Sequence, residues 1–157
     1  MSKTNACRKL DMFKIPYTLH EYEWDENELD AQTVSEKVGV RSNQIFKTLI
    51  VQGDKTGVMV SCIPGDCELN LKRLATVSGN KKVEMVPLKQ ILELTGYIRG
   101  GVSPLGIKKK YPIYVDLSAK SMDLISISAG RRGLQIFLSG ADLITATEAC
   151  LVDITNS

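Results

Sequence analysis

Apolar residues recur along this chain at two periods, and the change from one to the other marks out the elements. Over residues 4–14, Cys7, Leu10 and Phe13 stand three apart, which predicts a helix with Thr4 or Asn5 as its N-cap. Ile15-Pro16 ends it, because the residue before proline is pushed out of the helical region. Residues 17–22 alternate as a short strand. Residues 31–38 read as a helix stopped by Gly39, with Thr33 and Glu36 as a capping box if the helix starts one turn later. The clearest buried strand is 45–52, Ile-Phe-Lys-Thr-Leu-Ile-Val-Gln. Residues 53–57 turn the chain and 58–63 return, a hairpin signal. A helix over 70–78 with Gly79 past its end, a strand over 82–86, and a helix from Pro87 to Gly96 follow. Beyond a glycine-rich loop at 100–106, strands are predicted at 113–116, 123–128 and 134–138. Ser139 then opens a helix with Asp142 at N3, and 150–154 is a last strand. Strands come first singly and then in runs. The pattern predicts an α+β fold, a single domain over residues 1–157 with a central mixed, strongly curved sheet flanked by helices.

Composition narrows the class. The chain has 157 residues, 43% hydrophobic and 24% charged, which excludes disordered, collagenous and coiled-coil proteins. No apolar run approaches the ~20 residues that span a bilayer, and the N-terminus lacks the apolar core of a signal peptide. A soluble, cytoplasmic protein is expected. Net charge is only +2, but residues 21–30 hold six acids and no Lys or Arg; without them the chain carries 20 bases against 12 acids. A surface so divided suits a polyanionic partner, and equally a solvated, well-mixed surface.

Few residues invite chemistry. His20 is the only histidine. Cys62 and Cys67 are spaced C-x4-C without a second ligand pair at zinc spacing, so neither a metal nor a cofactor is expected. The four cysteines, Cys7, Cys62, Cys67 and Cys150, read as small core or surface residues. Lys47 is the odd residue, sharing a strand face with Ile45, Leu49 and Val51. It guards an edge, snorkels to water, or brings an ammonium into a cleft to meet an anion. The loop Gly100-Gly101-Val102-Ser103-Pro104-Leu105-Gly106 is either a tight connection or a set of N–H groups that approach a ligand closely. Ser128-Ala129-Gly130-Arg131-Arg132-Gly133 is either a plain hairpin or an anion-binding turn. The clustered bases Lys81, Lys82, Arg99, Lys108, Lys109 and Lys110 are either contacts to the phosphates of a polyanion or a solvated surface.

Taken in order, the lysine strand Ile45-Phe46-Lys47-Thr48-Leu49-Ile50-Val51, the glycine-serine-proline loop and the serine turn resemble the YbaK family. His20-Glu21-Tyr22 and the acids after it match that family's early strand, and the resemblance covers nearly the whole chain. It implies the fold shared with the editing insertion of bacterial prolyl-tRNA synthetases. It implies a trans-acting deacylase of Cys-tRNA(Pro), working with prolyl-tRNA synthetase and bound tRNA. The implied nucleophile is the substrate's own thiol. Lys47 would then hold the substrate or its developing charge, Gly101 and neighbouring N–H groups would surround the reacting carbonyl, and Ser128 would orient the substrate. Tyr22, Thr48 and Pro104 would shape the pocket, with Gly100, Ser103, Gly130 and Arg132 also on the substrate. Ala129 stands where the family's turn has glycine, which bears on how closely the backbone approaches there. Two other readings remain open: a deacylase of the same fold for Ala- or Ser-tRNA, and a non-catalytic module that binds tRNA or a synthetase.

Overall fold

Polar residues flanking each apolar run set where the helices begin. Thr4 accepts from the Cys7 N–H and opens α1 (Asn5–Met12). Asp30, not the Thr33–Glu36 pair, caps α2 (Ala31–Val38), accepting from Thr33 N–H at 3.1 Å and from its hydroxyl at 2.8 Å. Asn70 caps α3 (Leu71–Ser78). The segment after Pro87 forms a 3₁₀ turn and then the short α4 (Ile91–Thr95). Ser139 caps α5 (Gly140–Thr147) through the Asp142 N–H. The computed structural model describes residues 3–156.

The strands are β1 (Thr18–Glu21), β2 (Phe46–Gly53), β3 (Gly57–Pro64), β4 (Glu68–Leu69), β5 (Val83–Met85), β6 (Ile113–Asp116), β7 (Ile125–Ser128), β8 (Leu134–Leu138), β9 (Cys150–Val152) and β10 (Thr155–Asn156). The expected central sheet resolves into two. A five-stranded sheet runs β5-β2-β3-β6-β9 and is mixed: β5, β2 and β3 pair antiparallel, while β6 and β9 add in parallel. A three-stranded antiparallel sheet runs β1-β8-β7. One bridge, Ile45 to Ser126, ties the second sheet to the start of β2. The two-residue strands β4 and β10 pair with each other, and Leu69 packs with Met59 and Ile63 of β3.

Both faces of β2 are covered, which is why its sequence is nearly continuously apolar. Phe46 and Ile50 enter the larger core with Val60, Cys62, Leu105 and the inner residues of β7 and β8. Val51 enters a smaller core with Met59, Ile63, Leu74 and Ile154.

One edge of β2 is covered only at its ends. β3 pairs along the whole inner edge. On the outer edge, β5 pairs only with Val51, Gln52 and Gly53, and the Ile50 carbonyl accepts from Val86 N–H. The Ile45–Ser126 bridge closes the other end. Strand backbone alternates in direction, so Thr48, two residues from Ile50, also turns its N–H and C=O to this outer side. A gap in the pairing is thereby left along the middle of β2.

Candidate active site

A cavity of about 260 Å³ fills that gap. Phe46, Lys47 and Thr48 of β2 form one wall. Arg99, Gly100 and Val102 of the glycine loop form a second, and Ser128 with Gln135 a third. Tyr22 and Leu29, from the acid-rich segment, close it. The six acids of that segment do not line it; Asp30 is spent on the α2 cap. The sequence-derived residues Lys47, Thr48, Tyr22, Arg99, Gly100 and Ser128 are thus brought together.

The lining holds two basic side chains, Lys47 and Arg99, and no carboxylate, imidazole or thiol. Lys47 is half-buried and makes no hydrogen bond or ion pair with the described residues. A cation so placed, against apolar walls and without a counter-charge, favours an anion or a carbonyl that is becoming one. His20 and the cysteines lie outside this lining. His20 stacks on Phe137 with ring centres 3.7 Å apart and bonds Thr18 at 2.8 Å. Cys62 is fully buried, and burial pushes its thiol up to about 12. Burial also raises the Cys67 thiol, with the Asp66 carboxylate adding to the effect.

The serine turn presents a donor. Ser128 Oγ accepts from Gly130 N–H at 3.1 Å, which leaves the hydroxyl proton free to point into the cavity. Gly130 itself faces away: at φ 105°, an added Cβ would stand 2.8 Å from the Tyr97 ring. Ala129 departs from the family pattern without consequence here, because its methyl is buried in the larger core.

Gly101 has a different place from the one implied by resemblance. It does not line the cavity, and its N–H donates to the Ile98 carbonyl at 2.8 Å. An added Cβ would lie 2.9 Å from Arg131 Cα and 3.1 Å from Arg132 N, so Gly101 is where the glycine loop and the serine turn touch backbone to backbone. Its neighbours Gly100 and Val102 do line the cavity, and no hydrogen bond among the described residues engages their N–H groups.

Arg132 also acts on the loop. Its Nε donates to the Arg99 carbonyl at 2.8 Å, and its guanidinium lies 5.3 Å from the centre of the Trp24 ring. Ser103 is buried within the loop, its Oγ accepting from Leu105 N–H at 3.3 Å. Pro104 lines a separate groove with Lys108, Lys109 and Lys110. The bases divide too. Lys82 pairs with Glu84 at 2.8 Å. The N–H groups of Lys82 and Lys81 both bond the Asp54 carboxylate, the former most strongly holding it below its usual range. That pair braces the β2–β3 hairpin to β5, away from Lys108–110.

Gln135 was not singled out in the sequence. It is buried in β8, its Oε1 accepts from the Ser126 hydroxyl at 2.7 Å, and its amide nitrogen, which has no partner among the described residues, is the group left for the cavity. The signal was the one that marked Lys47: a polar residue within an apolar strand.

Comparison with known proteins adds to this geometry. The family model described as the aminoacyl-tRNA editing domain matches residues 25–146. A protein of Enterococcus faecalis, provisionally named Cys-tRNA(Pro)/Cys-tRNA(Cys) deacylase EbsC, is 47% identical over 153 residues, which is 98% of this chain and 93% of that protein. The proline–tRNA ligase of Brachyspira hyodysenteriae is 32% identical over 81 residues, 52% of this chain and 14% of the ligase. A solved structure described as hypothetical protein APE2540 superposes with a TM-score of 0.86 at 27% identity, covering 95% of this chain and 97% of its own.

Proposed function

The chain belongs to the aminoacyl-tRNA editing domain family, and we propose that it clears cysteine mischarged onto tRNA(Pro), with the substrate's own thiol as nucleophile. It is an enzyme, an aminoacyl-tRNA deacylase, and aminoacyl-tRNA is its substrate. The observation that carries the mechanism is the make-up of the cavity: two cations and several N–H and O–H donors, with no carboxylate, imidazole or thiol. Such a site stabilises negative charge and leaves the attacking atom to the substrate.

In the proposed reaction the cysteinyl sulfur attacks its own ester carbonyl. A C–S bond forms, the C–O bond to the ribose breaks, and the thiol proton ends on the departing ribose oxygen. The products are deacylated tRNA and a four-membered thiolactone, which water opens to cysteine. The protein's part is to fold the aminoacyl group onto itself and to hold the oxyanion. Lys47 supplies the charge. The Ser128 hydroxyl, the Gln135 amide and the free N–H groups of Gly100 and Val102 are the candidate neutral donors. Tyr22 and Thr48 shape the walls. Gly101 and Arg132 act one step back, fixing the loop that carries Arg99 and Gly100. A volume of about 260 Å³ is below the ~300–1,000 Å³ of sites for drug-sized ligands, which suits an aminoacyl group with its ribose at the mouth.

A proline-activating pocket cannot strongly reject cysteine on size, which is the setting in which separate editing is needed. We assign prolyl-tRNA synthetase as the partner that selects the tRNA, the cytoplasm as the place of action, and residues 1–157 as one editing domain. The support for the partner is the match to the proline–tRNA ligase. The test is deacylation of Cys-tRNA(Pro), Ala-tRNA(Pro) and Pro-tRNA(Pro) by the purified protein. Cys-tRNA(Pro) should be cleaved fastest and Pro-tRNA(Pro) spared; equal cleavage of the cysteinyl and alanyl forms would sink the thiol mechanism.

A further inference from the structure

A second concavity lies beyond the glycine loop, on the side away from the cavity. It measures about 890 Å³ and runs between α1, residues 104–113 and the end of α5. Its charged lining is Arg8 and Lys9 from α1, Lys108, Lys109 and Lys110 from the loop, and one acid, Glu148. None of the five bases has a carboxylate partner among the described residues. Arg8 bonds only the Asn5 side-chain oxygen, at 3.1 Å, and Lys9 stands 5.3 Å over the Phe13 ring. The ion pairs of the described residues are elsewhere, at Lys3–Asp11, Arg73–Asp153 and Lys82–Glu84.

The groove and the cavity share a wall. Gly100 and Val102 face the cavity, while residues 104–110 face the groove. The six steps of chain from Val102 to Lys108 reach at most about 22 Å when fully extended. Inside that span the chain is held stiffly, because the buried Tyr97 hydroxyl donates to the Leu105 carbonyl at 2.6 Å. Whatever lies in the groove is therefore within a few nucleotides' length of whatever enters the cavity.

We propose that this groove, with α1 as its second wall, holds the sugar–phosphate backbone next to the aminoacylated 3′ end of the tRNA. The proposal rests on the deacylase reading and adds to it the face on which the tRNA lies. It gives Arg8 and Lys9 a role that the sequence did not suggest, and it removes Lys81 and Lys82 from that role. Five uncompensated bases facing one groove suit a chain of phosphates, whose binding releases counterions. Lys81 and Lys82 sit just before β5, where Lys82 is paired and the backbone N–H groups of both are committed to Asp54.

The test compares tRNA binding across a salt series for the wild type, an Arg8→Ala/Lys9→Ala variant and a Lys81→Ala/Lys82→Ala variant, with kcat at saturating Cys-tRNA(Pro) measured alongside. Loss of two phosphate contacts should lower the slope of log affinity against log salt by about 1.4 to 1.8. For Arg8→Ala/Lys9→Ala that loss is expected, with kcat unchanged; for Lys81→Ala/Lys82→Ala neither should move. An unchanged slope in the first variant, or an equal loss in the second, overturns the groove. A fall in kcat without a change of slope overturns it also, since Arg8 and Lys9 would then act on the cavity. A wild type that binds tRNA in this salt-dependent way yet cleaves no aminoacyl-tRNA would sink the deacylase reading and leave the groove standing.

Discussion

In the cavity, half-buried Lys47 stands among Phe46, Ile50, Val86 and the glycine loop, with the exposed Arg99 beside it; in the groove, Arg8 and Lys108–110 stand at the open surface. The same kind of charge does different work in the two places. Two unit charges 4 Å apart interact by about 1 kcal/mol in water and about 4 kcal/mol at the effective dielectric of a protein site. One ammonium in the cavity can therefore matter more to an oxyanion than several on the surface matter to phosphates. The surface charges act together instead, through released counterions, and are weakened by salt. Cavity substitutions should change rate and groove substitutions should change affinity.

The largest effect should come from Lys47→Ala. Removing the cavity's ammonium should lower kcat by at least about a hundredfold, with thermal stability nearly unchanged, because the half-buried charge has no partner to leave behind. Single-turnover deacylation and a melting curve read both; full activity in the variant would end the contrast between cavity and surface.

Gly101→Ala comes next. The added methyl meets backbone atoms of Arg131 and Arg132 at 2.9–3.1 Å, so the loop and the turn must part. A loss of about 1–3 kcal/mol in stability is expected, together with reduced kcat. A denaturant titration showing wild-type stability would mean that the two segments are not packed as described.

Gln135→Leu should be milder, lowering kcat/KM roughly tenfold through one lost hydrogen bond. The salt slope of tRNA binding should stay at the wild-type value. A changed slope with an unchanged rate would move Gln135 from the cavity's chemistry to tRNA contact.

Arg132→Ala should have the smallest effect of the four. Arg132 touches the Arg99 carbonyl and the Trp24 ring rather than the cavity, so the variant should show a loss of a few-fold. Arg132→Lys should restore little of it, because a lysine cannot reproduce the stacked, Nε-donating guanidinium. Full rescue by lysine would point to charge alone.

Much of this was legible in the residues. The run around Lys47 announced a buried strand, and one of the three readings of its lone cation, a cleft, falls where the cavity lies. Thr4, Asn70 and Ser139 announced three helix starts. Asp30 was missed as a cap because Thr33 and Glu36 offered a rival pattern one turn later; the structure uses the carboxylate nearest the first apolar turn. The pairing of β4 with β10 was not legible, since two-residue strands joined across 86 positions carry no local period. Nor was the division into two sheets. Alternation tells which face a β2 side chain takes, but the open edge exists only because β5 stops at Met85, and that is set by tertiary packing. Gly101 was expected to bring its N–H to the substrate's carbonyl, but that N–H bonds Ile98 and the residue lies outside the cavity lining. What approaches Gly101 is Arg131 of the same chain, which no spacing rule could disclose.

The central claim is that the attacking sulfur belongs to the substrate. The direct measurement is the single-turnover rate of the wild-type enzyme on Cys-tRNA(Pro) and on the same tRNA carrying S-methylcysteine. The groove contacts are identical in the two substrates, so only the chemistry in the cavity differs. Methylation should slow cleavage by at least about a hundredfold, because a positioned intramolecular nucleophile is lost. Equal rates on the two substrates would contradict the account and place the nucleophile in the protein or in water.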